Sequence, residues 1–214
     1  MTDQLIDWIQ ISLNLFNQST VRILWNLLLA FIPLALSFYL FRFDARRNLW
    51  WGILLLVFIS FLPNAPYILT DSIHIIELSQ QDYPNWAIIL VLIPQYTLFI
   101  IAGFEAYVIS LIRLDRYLTN STNLVTAKYL VAINAIAHSL CVVGIYIGRF
   151  ERFNSWDFIS KPGNVLATTI QDLLDGEKLL TMAIAFLAIW LLTEFTKEVN
   201  YKIGLAFQHK VNKP

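Results

Sequence analysis

Apolar residues in this chain gather into long runs, and polar residues fall mostly in the gaps between them. Five runs, at 21–41, 49–69, 86–112, 129–147 and 179–195, lie near or above the roughly 20 residues with which a helix crosses a hydrocarbon core. Spanning β-strands are about 10 residues long and alternate in polarity, which these runs do not. The pattern predicts an all-α fold, a polytopic transmembrane helical bundle of five spans. Residues 1–214 then form a single integral membrane domain with short loops. The fifth run is the shortest of the set.

Two further segments have a helical rather than a continuous apolar pattern. Near the N-terminus, Gln4, Asp7, Gln10, Asn14, Asn17 and Gln18 alternate by threes and fours with Leu5, Trp8, Ile9, Leu13 and Phe16. That spacing predicts a short helix over 4–17 lying in the membrane interface. Asp3 and Asp7 stand where a cleavable signal would be basic, so none is expected. A second interfacial helix is expected over 165–174, with Leu166, Ile170, Leu173 and Leu174 on one face. Pro162-Gly163 precedes it, and Gly176 offers a C-terminal stop. The spans show no internal repeat, which argues against a transporter built from inverted halves.

Composition agrees with the pattern and narrows it. Hydrophobic residues make up 57% of the chain and charged ones 14%, against roughly 45–50% and about 25% in soluble domains. Fifteen Lys and Arg balance fifteen Asp and Glu, so nucleic acid is not an expected partner. The single cysteine, Cys141, excludes a disulfide framework. Basic residues are unevenly placed: ten lie on the side of the 42–48 and 113–128 loops and the C-terminal tail, and five on the other. The positive-inside rule then puts the N-terminus outside and the C-terminus in the cytoplasm. Trp50 and Trp51 at one boundary, with Trp86 and Trp156 at the other, fit interfacial aromatic belts.

Two polar motifs fall on the predicted outer side. The first is Pro63-Asn64-Ala65-Pro66-Tyr67-Ile68-Leu69-Thr70-Asp71, continuing to His74. Its two prolines remove backbone donors and should break the helix, freeing carbonyls that Asn64, Thr70 or water can satisfy. The second is Gly148-Arg149-Phe150-Glu151-Arg152-Phe153-Asn154-Ser155-Trp156-Asp157, directly after the fourth run. The run from Phe61 to Asp71 and His74, with Gly148-Arg149-Phe150 and Asn154-Ser155-Trp156-Asp157, resembles a bacterial membrane-protein family catalogued as domain of unknown function 1361. The resemblance covers nearly all of the chain. It implies a multi-pass protein of the bacterial inner membrane, and it brings no assigned activity, cofactor or catalytic residue.

Several chemistries suit these motifs. Asp71, His74 and Glu77 form a slanted stripe if the helix resumes after Pro66, a ligand set for Zn²⁺ or another divalent ion that Asp157 can complete. Alternatively, Asp71 caps a helical turn while His74 and Glu77 are solvated. Arg149 and Arg152, three residues apart at a helix end, can face one interfacial pocket and bind a phosphate or carboxylate. Asn64, Tyr67, Asn154 and Trp156 would add hydrogen bonds and stacking. The plainer reading is an ion pair of Arg149 with Asp71, or of Arg152 with Asp157, holding the motifs together.

Glu105 is the only acidic or basic residue well within a span, and Asn134 and His138 lie in the fourth. Glu105 and Asn134 fall at similar depth and are expected to bond across helices, either as interhelical glue or as part of a proton relay. Gly103 and the Gly144-xxx-Gly148 pair permit close packing. His-Glu-x-x-His, Gly-x-Ser-x-Gly and P-loop signatures are absent. Three functions follow. One is recognition of an anionic lipid headgroup or small anion by Arg149 and Arg152. Another is metal- or carboxylate-dependent chemistry on an envelope lipid through Asp71, His74 and Asp157. The last is a structural role within a larger membrane complex, beside another membrane protein.

Overall fold

A computed structural model describes residues 2–42, 44, 47–121, 127–153 and 157–211. The described residues are helical with no strand, and five helical segments are long and apolar enough to cross a membrane. The chain is therefore a multi-pass membrane protein of helical-bundle type.

The first helix, α1 (Thr2–Leu40), takes in both the amphipathic 4–17 segment and the 21–41 run without a break. The two were expected as separate elements. No glycine or proline separates them, and the polar residues at the junction have partners on neighbouring segments. Gln18 bonds Gln81 at 3.1 Å and accepts from the Tyr83 hydroxyl at 3.1 Å, while the Ser19 hydroxyl donates to Gln95 at 3.0 Å. Leu15 is fully buried.

The second run breaks where its prolines fall. Helix α2 (Leu49–Phe61), capped by the Asn48 side chain, gives way to the short α3 (Asn64–Tyr67), a 3₁₀ segment (Ile68–Ser72) and α4 (Ile73–Ser79). Freed carbonyls are taken up locally: Asn64 donates to Phe61 O at 3.1 Å, and the Thr70 hydroxyl to Tyr67 O at 2.7 Å. This irregular stretch is packed inside the bundle, with Ala65 and Ile68 fully buried. Glycines on two neighbouring helices make room for it. A Cβ on Gly103 would come within 2.1 Å of Ile68 Cδ1, and one on Gly144 within 2.7 Å of Pro63 Cβ. Irregular backbone at membrane depth is tolerated when protein covers it in this way.

The third span starts with α5 (Asn85–Ala87) and a π-helical turn (Ile88–Leu92) and continues as α6 (Ile93–Ser121). Pro94 follows the π turn, whose wider winding relieves the clash of a proline ring with the preceding turn. Helix α6 is central and touches α1, the broken segment, α7 (Ala127–Arg149) and α10 (Gly176–Val211). Helix α8 (Asp157–Ser160) packs on α9 (Pro162–Leu174), which begins with proline in its first turn. Val165 and Asp172 of α9 are buried, and Leu166, Ile170, Leu173 and Leu174 remain exposed.

Helix α10 is far longer than the 179–195 run implied. Its start is set by Asp175, whose side chain accepts from the amides of Glu177 and Lys178, so Gly176 begins α10 rather than only ending α9. Beyond residue 195 the helix persists because its polar residues are paired, Lys197 with Asp115 and Glu194, Lys202 with Glu198, and Asn200 with Glu105.

Candidate functional site

The break in the second span brings the first motif against α1 and α7. Asp71 is 2% exposed, which obliges it to find partners inside the protein. Asn26 of α1 donates to its Oδ2 at 2.6 Å, and Arg149 of α7 places Nη1 3.8 Å from its Oδ1. Arg149 Nη2 also donates to the Thr70 carbonyl at 3.3 Å, satisfying another group freed by the break. The ion pair of Arg149 with Asp71 thus exists and joins the two motifs. Asn26 was not singled out by the sequence, although it is the only amide side chain in the 21–41 run. Arg22, one turn earlier on α1, is close enough for its charge to act on Asp71 and Glu77.

The expected stripe of Asp71, His74 and Glu77 forms, but not as a chelate. His74 Nδ1 faces Glu77 at 2.5 Å and Nε2 faces Asp71 at 3.9 Å, so the ring lies between the carboxylates. Among the described residues no group of three or more His, Cys, Asp or Glu is arranged to hold a metal ion. What results is an imidazole oriented by one carboxylate and directed at another.

Beside this cluster is a groove of about 740 Å³ between α1, the end of α2 and α7. Trp25, Phe61, Ile147 and Phe153 make it largely apolar, and Asn26, Asn64 and Tyr67 supply its polar edge. Asn26 therefore belongs to both the groove and the Asp71 cluster. Tyr67 lies against Gly148, where an added Cβ would meet the ring at 3.4 Å.

Arg152 does not continue the helix that carries Arg149, on which the expectation that both face one pocket rested. Helix α7 ends at Arg149, so the three-residue spacing no longer places both on one face. Arg152 takes a left-handed φ of 57° and is exposed, which turns the chain so that the Phe153 amide reaches the Ile147 carbonyl at 3.3 Å. Asp157 opens α8. Asn154, Ser155 and Trp156 lie outside the described residues. Glu151, in the same motif, reaches Lys178 of α10 at 3.5 Å, and Lys178 bonds the buried Asp172 of α9 at 2.6 Å. This lysine ties α9 and α10 to the second motif, a link that spacing alone did not reveal.

The intramembrane residues pair differently from the expectation. Glu105 does not bond Asn134; it accepts from Asn200 of α10 at 2.8 Å. Asn134 donates to Asp115 at 2.7 Å and accepts from Lys197 at 3.1 Å, and Lys197 also pairs with Asp115 at 3.1 Å. Depth along straight helices suggested the wrong partner because α10 extends far enough to supply two polar residues of its own. His138 is fully buried and shares a 2.7 Å hydrogen bond with the Tyr107 hydroxyl.

No curated protein and no solved structure matches the chain. Residues 25–192, from Trp25 and Asn26 of α1 through both motifs to Leu192 in α10, match the family described as "Protein of unknown function (DUF1361)", and the chain belongs to that family.

Proposed function

We propose that this protein binds a lipid with an anionic headgroup, its acyl part in the groove and its head at Arg149. The observation that carries the reading is the state of Arg149, which follows the groove-lining Gly148 and shares Asp71 with the groove-lining Asn26. Its contacts of 3.8 Å to Asp71 and 3.3 Å to Thr70 O are longer than the roughly 2.7–2.9 Å of a charge-assisted bond. A guanidinium has five donors, so this one is held in place with N–H groups left to give. The adjoining groove is apolar and about the size of a small-molecule site, roughly 300–1,000 Å³. Free phosphate would have no use for that apolar wall. On the charge count given above, this end of the bundle faces outward in a bacterial inner membrane.

Native mass spectrometry of the purified protein tests the reading. Wild type should retain anionic phospholipid. Arg149→Ala should lose it at least tenfold, and Ser60→Trp, which fills the groove from an exposed position, should do the same. Unchanged lipid in both variants would overturn the proposal. The runner-up is catalysis on an envelope lipid, favoured by the placement of His74 between Glu77 and Asp71. Conversion of a bound lipid by wild type but not by His74→Asn would favour that alternative.

A further inference from the structure

A second polar site lies within the bundle, apart from the groove. His138 of α7 is fully buried among Tyr107, Phe186 and Trp190, whose ring centroids are 5.8, 6.2 and 5.4 Å from its own. Its Nδ1 is 2.7 Å from the Tyr107 hydroxyl. With the phenol as donor at this contact, the imidazole proton lies on Nε2; with the phenol as acceptor, Nε2 is a bare acceptor. Among the described residues Nε2 has no partner, and neither has Thr193 Oγ1 of α10, which is also fully buried.

Helical spacing places these two atoms in the same region. Phe186, Trp190, Thr193 and Lys197 recur along one side of α10. The first two meet His138, and Lys197 reaches Asn134, one turn from His138 on α7, at 3.1 Å. Thr193 therefore falls between those contacts. Two orphan polar atoms in one apolar region of the interior are unfavourable unless something satisfies them. Buried waters commonly bridge otherwise unsatisfied groups of this kind.

We propose that a bound water is held between His138 Nε2 and Thr193 Oγ1, accepting from the imidazole N–H and sharing a hydrogen bond with the hydroxyl. It joins α7 to α10 about one helical turn from the Asn134–Lys197–Asp115 cluster. A small neutral hydrogen-bonding molecule suits this desolvated interior better than an ion, which burial penalises.

The test is NMR of the full-length protein, ¹⁵N-labelled at histidine, in lipid nanodiscs. His138→Phe assigns the signal by removing it. Wild type should show the proton on Nε2 with an exchange cross-peak to water. That cross-peak should vanish in Thr193→Val and return in Thr193→Ser. A wild-type Nε2–H without a water cross-peak, or a proton resident on Nδ1, would overturn the site. A cross-peak that survives in Thr193→Val would overturn the role of Thr193. Thermal unfolding of each variant separates loss of the water from loss of the fold, and the wild-type spectrum decides the site even if Thr193→Val does not fold.

Discussion

Asp71 shows what a single buried charge demands of its surroundings. At 2% exposure it holds Asn26 and Arg149 in place, and each of these belongs to a different helix. Removing the Asp71 charge leaves the partly exposed Arg149 without its counter-ion, at a cost of about 1–3 kcal/mol. Asp71→Asn should therefore lower the thermal midpoint and abundance of the protein markedly, as read by unfolding in detergent. A midpoint within a degree of wild type would mean that Arg149 is not dependent on it. The sequence offered Asp71 and Arg149 because both sit in unusual motifs. It did not offer Asn26 as their partner, since a lone amide in an apolar run carries no record of what it faces. Arg152 was legible as a cation but not as a turn residue, because its left-handed backbone is set by where α7 stops.

At the scale of elements, the irregular stretch after α2 depends on two glycines in neighbouring helices. Pro63 and Pro66 dictate that the helix breaks, since neither can donate a backbone hydrogen bond. Where the broken segment goes is decided by the space at Gly103 and Gly144. Overpacking a tight core costs roughly 1–3 kcal/mol, so Gly103→Ala should destabilise the protein by that order through Ile68. The companion change Gly103→Ala with Ile68→Val should recover part of the loss, and chemical denaturation of the two variants would measure it. Absence of any recovery would place the strain elsewhere. The small residues were visible in the sequence as a packing signal. That they receive a proline-broken segment, and not only another regular helix, was not.

For the whole molecule, the placement of charge predicts a topology that the fold makes testable. In a Cys141→Ala background, Asn85→Cys should react with a membrane-impermeant thiol reagent added to intact cells. Reaction only after permeabilisation would invert the orientation and move the Asp71–Arg149 cluster to the inner face. The run lengths alone established a helical bundle with five membrane-crossing segments, because burying backbone polar groups in hydrocarbon leaves a helix few alternatives. Proline and glycine positions likewise established one break in advance. Tertiary structure decided the pairings: Asn26 with Asp71, Asn134 with Asp115 and Lys197, and Glu105 with Asn200. It also decided that α1 and α10 continue past their apolar runs, since polar residues there find partners on other helices. The physical reason is common to all of these cases. Hydropathy is a property of each residue, whereas a hydrogen bond in a low-dielectric interior depends on two residues that only the fold brings within reach.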